Sequence, residues 1–377
     1  YEIELVNREK LIIKDTFFNN HPNDLEYLKL ENIPKRIEEL DIFAACFFML
    51  TRWEEYVNKN RDSHDRFPAT ESLAFKQGFL DRPVVNEYVE ELKTMLLDLD
   101  SSLDFKKREF QLVLTHDVDQ ILKYPDILSG VREIVGDIIK RKSLILALNN
   151  LFKKIKTHLN LQNDPFDTFD YLMDISESVS TKSYFFFMGK GLTQFDNMYA
   201  SHDDFVKRLI RKIKTRGHHI GIHPTYNAYN KNEQFYREKL ELEENLKCNI
   251  TFGREHFLRF EIPTTWQIWE DNNMVWDSTV GYADKEGFRC GICYEYSVFN
   301  ILTRKKLNLK EKPLIVMEGS FATYQANINP GIMQDKILSL MTQVKKYNGD
   351  FVYLWHNSSF NTTKWKEYQH IYENVLN

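Results

Sequence analysis

The sequence predicts an α/β protein that consists of a distorted (β/α)7 barrel and a small N-terminal α/β domain. Short apolar runs alternate with amphipathic helical segments over most of the chain, which is typical of parallel strands joined by helices. The length of 377 residues allows two domains. The polar stretch "DSSLDFKKREF" separates this alternation from a different pattern before it. We therefore predict an accessory domain over residues 1–105 and the barrel over residues 106–377.

Two helices are predicted in the N-terminal domain. Residues 36–58, "RIEELDIFAACFFMLTRWEEYVN", are rich in core-forming side chains. In residues 85–99, "VNEYVEELKTMLLDL", apolar positions recur at intervals of three and four, as on one face of a helix. Between them, "NKNRDSHDRFPATES" is polar throughout and predicts a loop.

Seven predicted strands form the barrel, and each is a short run rich in β-branched and aromatic residues. They cover residues 110–115, 184–188, 218–222, 256–260, 274–278, 314–318 and 351–355. Helical segments fit between most of them, and "HDDFVKRLIRKIKTRG" ends at Gly217, where a glycine caps many helices. Residues 121–165 interrupt the alternation, and their length and lysine content predict a helical insertion over one rim.

The composition excludes several classes of protein. A formal net charge of −5 does not indicate a nucleic-acid-binding protein. No apolar run approaches the roughly 18 residues of a membrane span, and the start "YEIELVNREK" lacks the features of a signal peptide. Four cysteines do not make a disulfide framework, and Cys290 and Cys293 lack the second pair that a structural zinc site needs, which favours unreactive thiols. We expect a cytoplasmic protein without a transmembrane segment or nucleic-acid partner.

Ionisable and polar side chains recur where the predicted strands end. In chain order they are Asp117, Asp119, His223, Asn227, Arg254, His256, Arg259, Asp277 and His356. In a barrel the carboxyl ends of all strands open on one rim, and active sites lie there. The Asp-x-Asp pair alone is as typical of a turn that caps a helix. The joint placement of these side chains predicts one site.

These motifs, in this order, resemble those of the polysaccharide deacetylases, carbohydrate esterase family 4. The motifs are "LTHDVD", "GHHIGIHPTYN", "HFLRF", "WDST" and "VYLWHN". The resemblance covers about residues 108–377 and is greatest to a bacterial branch with an extra N-terminal domain, which "FFMLTRWEEY" also resembles. It implies a barrel of the polysaccharide deacetylase type.

The resemblance implies a set of catalytic residues. By position, Asp117 is the base and His356 is the acid. Arg259 matches the arginine that holds the base, with Arg254 as the second choice. Asp277 matches the aspartate that orients the catalytic histidine. The chemistry is consistent, since an arginine keeps a nearby carboxylate ionised and a histidine can protonate a departing amine near neutral pH.

The resemblance also implies a divalent metal, with zinc as the expected ion. Asp119 and His223 match two ligands, but Asn227 stands where the family has its second histidine. We predict Asp119, His223 and Asn227 as the ligand set, although an amide oxygen suits a harder cation than zinc. The sequence offers three alternatives for the third ligand: His219, which lies too far back along its strand, and His116 and Glu318, which stay open.

Four residues are predicted to bind substrate. Tyr226 and Trp355 could stack on a sugar ring, and Arg254 and Arg289 could hold an anionic group or a sugar hydroxyl. For each aromatic residue, packing in the core is the competing interpretation.

The predicted function is a metal-dependent hydrolase that removes acetyl groups from N-acetylated sugars in a glycan or glycan precursor. The departure at Asn227 motivates one alternative, a catalytically inactive carbohydrate-binding barrel. The second alternative is a hydrolase of non-peptide C–N bonds in small amides. The basic run over residues 140–158 is interpreted as a solvated helix face or as a contact with a membrane surface.

Overall fold

The structure of the protein, a computed structural model, describes most of the chain from residue 41 onward. The described ranges are 41–125, 131–139, 142–159, 161–196, 199, 201–325 and 328–377, together with the backbone of 2–4 and 10–12. Strands β1 (Glu2–Glu4) and β2 (Lys10–Ile12) form an antiparallel pair. The first five residues of the helix predicted over 36–58 lie outside the described residues.

The described part of that predicted helix is two helices, α1 (Ile42–Leu50) and α2 (Trp53–Val57). They separate at Arg52, whose left-handed backbone (φ 53°) cannot continue a helix. The polar loop contains a short helix, α3 (Leu73–Lys76), and the second predicted helix is α4 (Val84–Leu99).

A nine-stranded, mostly parallel sheet forms the larger part of the described chain. Its strands are β3 (Gln111–Val118), β4 (Tyr184–Phe187), β5 (His219–Ile222), β6 (Phe252–Gly253), β7 (Trp276–Asp277), β8 (Tyr296–Asn300), β9 (Lys305–Glu311), β10 (Val316–Met317) and β11 (Asp350–Leu354). The order is β10-β11-β3-β4-β5-β6-β7-β9-β8, and only β8 is antiparallel to its neighbour. Since the order begins at β10 and ends at β8, the sheet of the described residues is open. The predicted closed barrel is therefore not confirmed.

Nine further helices follow α4 in the described residues. They are α5 (Val131–Ile139), α6 (Leu144–His158), α7 (Phe169–Ser178), α8 (Asp204–Thr215), α9 (Asn232–Leu246), α10 (Thr264–Asp271), α11 (Glu318–Ala322), α12 (Pro330–Lys346) and α13 (Gln369–Leu376). Helix α8 buries one apolar face, and Gly217 follows it at φ +78°, as the sequence predicted. Among the described residues, no helix has both the length and the apolar character that a membrane span requires.

The strands at the centre of the sheet agree best with the sequence prediction. Strands β3, β4, β5 and β11 lie within a few residues of the predicted runs. Their side chains are buried on both faces, which is typical of a parallel sheet covered by helices. The register places Asp117 opposite Phe186 on β4, and Phe186 opposite Gly221 on β5. The carboxyl ends of the three strands are thus aligned.

The prediction of a strand over residues 256–260 is wrong. The chain forms the two-residue strand β6 and then a 3-10 turn over His256–Leu258. Phe257 and Leu258 have φ of 61° and 54°, a left-handed conformation that no strand contains. Gly253 permits the close approach of β6 to β5, because a Cβ at this position would lie 1.9 Å from the carbonyl oxygen of Ile222.

The sequence prediction does not include β8 and β9, the two strands at one edge of the large sheet. In β9, buried Leu307 and Leu309 alternate with exposed Lys306 and Asn308. This two-residue period is the signal that could have identified β9. The predicted strand at 314–318 is shorter than expected, because helix α11 begins at Glu318. The predicted insertion over 121–165 contains the helices α5 and α6.

Candidate active site and metal centre

The site begins at the carboxyl end of β3. Asp117 is buried and is the second-last residue of the strand, and Asp119 is the first residue after the strand. Oδ1 of Asp117 accepts a hydrogen bond from Nη1 of Arg254 at 2.8 Å. Oδ1 of Asp119 lies 3.2 Å from Nε2 of His223, which follows β5. The two carboxylates therefore have different partners, one an arginine and the other an imidazole.

A group that could hold a metal ion is formed by Asp119, His223 and His256. Their ligand atoms all lie within 4.8 Å of one another, and Nε2 of His256 is 3.6 Å from Oδ1 of Asp119. Asp119 Oδ1 is buried and has no hydrogen-bond partner. A cation held between the three ligand atoms would supply a partner for this buried carboxylate oxygen. The donor set, one carboxylate and two imidazoles, fits a divalent transition metal such as zinc.

Neighbouring groups orient both imidazoles of this group. Nδ1 of His223 hydrogen-bonds to the carbonyl oxygen of Arg254 at 2.6 Å, which leaves Nε2 to face Asp119. Nδ1 of His256 lies 3.4 Å from Oδ1 of Asp196, so its Nε2 faces Asp119 as well. Metal-binding histidines are commonly held in this way, by a carbonyl or a carboxylate on the second ring nitrogen.

The electrostatics of this group favour a cation. Burial raises the pKa of Asp119, but the imidazoles of His256, His356 and His223 outweigh burial and hold that pKa well below its usual range. Burial lowers the pKa of His223, but Asp117 and Asp119 outweigh it and raise the pKa. The carboxylates thus attract positive charge to the point where the three ligand atoms meet.

Asn227, predicted as the third ligand, is not part of this group. It precedes a 3-10 turn (Ala228–Asn230), and its Oδ1 accepts a hydrogen bond from Nη1 of Arg259 at 3.3 Å. His256 offers the third ligand atom of the group that could hold a metal ion. In the sequence, His256 is the first residue of the strand predicted over 256–260, where a role in metal binding could not be recognised.

The alternatives for the third ligand also have other partners. His116 points into the protein interior, where its ring nitrogens contact the carbonyl oxygen of Trp355 at 2.7 Å and Oγ of Ser183 at 3.1 Å. Burial lowers the pKa of His116 to about 4. His219 stacks on the ring of Tyr184. Neither imidazole faces Asp119.

Arg254, rather than Arg259, contacts the proposed base. Arg254 is fully buried, and three hydrogen bonds besides the one to Asp117 fix its guanidinium: to Thr115 Oγ1 at 3.0 Å, Ser278 O at 2.8 Å and Ser278 Oγ at 3.0 Å. The prediction that Arg254 binds substrate is therefore corrected, because its donors are occupied within the protein.

Arg259 joins loops beside the site. Its guanidinium lies 4.0 Å from the ring centre of Tyr226 and 4.1 Å from that of Tyr229. It donates to the carbonyl oxygens of Tyr226 at 2.5 Å and His64 at 2.8 Å. The predicted contact of Arg259 with Asp117 is thus replaced by contacts that connect the N-terminal segment to the rim.

His356 follows β11 and faces the same point as the three ligand atoms. Its Nε2 lies 3.6 Å from Oδ2 of Asp119, and its Nδ1 lies 2.6 Å from Oε1 of Glu318. Glu318 also accepts hydrogen bonds from the His356 backbone at 3.0 Å and from Ser359 Oγ at 2.6 Å. Burial lowers the pKa of His356, but the Glu318 carboxylate outweighs it and raises the pKa to about 10.

Asp277, the predicted partner of His356, lies elsewhere in the core. Its Oδ1 accepts hydrogen bonds from the backbone N–H of Thr279 at 3.0 Å and from Thr279 Oγ1 at 2.5 Å. Burial raises its pKa to about 6, next to the buried carboxyl of Glu311. Glu318 occupies the position expected of Asp277. It lies at the first residue of α11, which the sequence analysis read as the end of a strand.

Comparisons with known proteins add little to this geometry. A family model described as "Family of unknown function (DUF7033)" matches residues 1–101. No curated protein matches the sequence. Among solved structures, the chain is similar to one described as a "putative polysaccharide deacetylase from Mycobacterium smegmatis", with a TM-score of 0.44 and 13% sequence identity over 73% of this chain and 85% of that chain. The roles proposed below therefore depend on the contacts of this chain's own residues.

Two predicted substrate residues are buried and cannot reach a ligand. Trp355 is fully buried among aromatic side chains, including Phe360 and Tyr372. Arg289 is also buried, and it forms a salt bridge with Glu55 (Nη2 to Oε2, 2.5 Å) and donates to the carbonyl oxygen of Gly281 at 2.8 Å. Trp355 lies in the core, one residue before His356. Arg289 connects helix α2 to the part of the chain that forms the nine-stranded sheet.

Tyr226 lies on an aromatic cluster at the rim, which we call the aromatic rim: His64, Phe195, Tyr226 and Phe257. Phe195 and Tyr226 have ring centres 4.5 Å apart, and those of His64 and Phe257 are 4.7 Å apart. Phe257 directly follows the metal-group residue His256, and their ring centres are also 4.7 Å apart. His64 comes from the polar loop of the N-terminal segment, so that segment contributes to the rim of the site.

The two cysteines with Cys-x-x-Cys spacing are structural. Cys290 and Cys293 are both buried and not joined by a disulfide. Burial raises the pKa of each thiol to about 12, which leaves them protonated near neutral pH. Burial and the raised pKa of both thiols agree with the prediction of unreactive thiols.

Proposed function

We propose that the protein is a metal-dependent hydrolase that removes acetyl groups from N-acetylated sugars of a glycan or glycan precursor. The observation that supports it is the convergence on Asp119 of three imidazole Nε2 atoms, at 3.2, 3.6 and 3.6 Å. Asp117, with its own arginine, lies beside them. Two imidazoles and a carboxylate suit the metal, and the remaining carboxylate and imidazole suit general base and acid.

Asp117 is the general base in this proposal. Its Oδ1 is occupied by Arg254, whereas its Oδ2 lies 3.9 Å from Nε2 of His223 and so faces the metal side. A divalent cation bound there would polarise the amide carbonyl and lower the pKa of a bound water from 15.7 toward about 7. Oδ2 of Asp117 is placed to accept a proton from the attacking water, whose oxygen would bond to the acetyl carbonyl carbon before the C–N bond breaks. The hydrogen bond from Arg254 to Oδ1 holds the Asp117 side chain in place for this step.

His356 is the general acid. Its Nδ1–H donates to Glu318, which fixes the ring and leaves Nε2 to face the site. Nε2 donates its proton to the nitrogen of the departing amine, after which acetate and the free amino sugar leave. Glu318 is a positioning residue, because it acts on the reaction through His356.

The aromatic rim supports a sugar as the substrate. Phe195 is 38% exposed and can offer a ring face to a ligand. Sugar rings present flat C–H surfaces that pack on aromatic faces. The ring of Tyr226 packs against Phe195 and the guanidinium of Arg259, so in this proposal it supports Phe195 and contacts substrate only through its exposed edge.

The alternative of an inactive sugar-binding protein was motivated by the missing second histidine ligand. His256 offers a second imidazole beside Asp119, so the absence of a histidine at position 227 no longer argues for an inactive protein. The small-amide alternative uses the same chemistry and differs in the substrate, a small cyclic or linear amide, whose C–N bond is broken.

Release of acetate by the purified, zinc-loaded protein tests the proposal. We expect acetate from N-acetylated oligosaccharides, loss of release with a chelator, and recovery when zinc is restored. A panel of small cyclic and linear amides is the control. Turnover of those amides alone would overturn the sugar assignment, and no turnover of either class would overturn the enzymatic one.

A further inference from the structure

The two helices that follow the carboxyl end of β3 expose an unusual amount of apolar surface. Twelve of the twenty-five exposed large apolar side chains in the described part of the chain lie in residues 131–161. They are Val131, Val135, Ile138, Ile139, Leu144, Ile145, Leu148, Leu151, Phe152, Ile155, Leu159 and Leu161, with exposed fractions of 40–73%. Concentration of exposed apolar surface of this kind marks an interaction surface in a water-soluble fold.

On α6 these side chains form one continuous stripe. From Leu144 to Leu159 they recur at intervals of one, three and four residues, which places them on one side of the helix. The buried positions of α6 are Ala147, Asn150 and Lys154. This helix therefore turns small and polar side chains toward the protein and its apolar stripe toward the outside, the reverse of a helix that packs on its own core.

The same segment is strongly basic. Residues 131–161 contain five lysines and two arginines against two acidic residues, Glu133 and Asp137, in a chain whose formal net charge is −5. Lys142 and Lys156 are exposed. At 100° per residue, Lys156 lies next to the apolar stripe of α6. An apolar stripe bordered by lysines is the pattern of helices that lie on anionic membrane surfaces.

We propose that the α5–α6 hairpin docks on an anionic lipid surface, with its apolar stripe among the lipid headgroups and its lysines on their phosphates. Charge selects this occupant over a second copy of the chain, because two copies would bring two basic segments together. An anionic lipid surface instead attracts every lysine near it, and apolar side chains add binding in proportion to their buried area. Such docking requires no membrane-spanning helix.

The segment that carries these two helices is attached beside the candidate site at both of its ends. Nδ2 of Asn357, the residue after His356, donates to the carbonyl oxygens of Gln120 at 2.8 Å and Phe166 at 2.9 Å. Gln120 lies just before the predicted insertion, and Phe166 lies just beyond it. Docking of the helices would therefore keep the candidate site near the lipid surface.

Sedimentation with lipid vesicles tests the proposal on the whole chain, without reference to catalysis. We expect the protein to bind vesicles that contain phosphatidylglycerol and to bind phosphatidylcholine vesicles weakly. The triple variant Ile145→Ser, Leu148→Ser, Phe152→Ser should bind the anionic vesicles at least about 10-fold more weakly, because it removes three apolar side chains of the stripe. The pair Lys142→Gln, Lys156→Gln should lower the affinity and its salt dependence.

Leu302→Ser is the matched control, because Leu302 is 60% exposed and lies outside the hairpin. It should bind vesicles as the unchanged protein does. The single variant Phe152→Trp gives a readout that survives any folding defect of the triple variant. Its fluorescence should shift to shorter wavelength on anionic vesicles and stay unchanged with phosphatidylcholine vesicles.

Three results would overturn the proposal. One is an absence of binding to anionic vesicles by the unchanged chain, and another is binding that the triple variant leaves unaffected. The third is a dimer in analytical ultracentrifugation that the triple variant converts to a monomer, without vesicle binding, which would make the stripe a contact between two copies. None of these results depends on acetate release, so the proposed function is tested separately.

Discussion

Oδ1 of Asp119 lies 3.6 Å from Nε2 of His256, although one residue follows β3 and the other opens the turn after β6. Two strands, β4 and β5, separate these elements in the sheet. The contact completes a group of one carboxylate and two imidazoles, for which the motif comparison offered only Asn227. The third ligand of the proposed metal is thus supplied by a different loop from the one that the sequence indicated.

Replacing His256 should remove the metal. We expect His256→Ala to lower zinc affinity by about 100-fold or more, since the ion loses one of three protein ligands. The matched control is Asn227→Ala, which removes the residue predicted from the motif and should leave zinc affinity unchanged. Metal analysis after dialysis against a graded zinc buffer measures both. Loss of zinc in the asparagine variant alone would reverse the ligand assignment.

Replacing Asp117 should separate catalysis from metal binding. Asp117→Asn keeps the shape of the side chain but removes its basicity, so acetate release should fall by about 10²–10⁴-fold. The zinc content should stay at the level of the unchanged protein, because Asp117 is not one of the three metal-group residues. If zinc is lost instead, Asp117 and Asp119 have exchanged roles.

Replacing Glu318 should impair proton donation by His356. Glu318→Gln removes the carboxylate that holds Nδ1 of His356, so kcat should fall by about 100-fold while KM and zinc content stay unchanged. Asp277→Asn serves as the control, because Asp277 bonds to Thr279 and does not contact His356. Steady-state kinetics on folded protein distinguish them. A fall in kcat for the Asp277 variant alone would restore the prediction from the motif.

Removing Arg289 should destabilise the protein. The side chain is buried against Glu55, and Arg289→Ala leaves that carboxylate without its closest partner. We expect the free energy of unfolding to fall by about 3–5 kcal/mol. Arg237→Ala is the control, since the Arg237 side chain is 68% exposed and its salt bridge with Glu233 contributes little. Denaturant unfolding checks both, and equal stability of the two variants would contradict the structural role of Arg289.

His116 should make the stability depend on pH between about 6.5 and 4. Burial lowers its pKa in the folded protein to about 4 from an ordinary value of 6.5, so the folded state favours the neutral ring. This contribution is complete above pH 6.5 and is lost as the pH falls toward 4, by about 3 kcal/mol in all. Unfolding of the unchanged protein and of His116→Gln over this range measures the difference. Parallel pH profiles of the two proteins would show that His116 does not titrate in this way.

The central strands could be predicted because their signal is local. Strands β3, β5 and β11 are continuous apolar runs, and polar residues follow each at the point where the strand reaches the rim. Parallel neighbours bring such ends together, so the expectation that Asp117, Asp119, His223 and His356 would meet needed only strand order and direction. The closed barrel was predicted from the number of strands and their alternation with helices, and the open strand order of the described residues does not confirm it.

Other features depended on backbone geometry that no local pattern encodes. The left-handed conformations of Phe257 and Leu258 end the turn that directs His256 toward Asp119, and neither residue type favours that conformation. Which arginine contacts Asp117 depended on where β6 ends. Because β6 ends at Gly253, Arg254 is the first residue after the strand, and it is the arginine that donates to Asp117. Glu318 was read as the end of a strand, because the start of α11 has no strong sequence signal.

The sequence by itself determined which side chains could do chemistry and, through apolar runs, which of them stand at strand ends. Only the tertiary structure decided which of these are partners: Arg254 with Asp117, Glu318 with His356, and His256 with Asp119. The physical reason is that periodicity and the tendency of a side chain to be buried depend on residue type, so both can be read from the sequence. Partnership depends on distances of a few ångströms between segments far apart in sequence, which the packing of the whole fold sets.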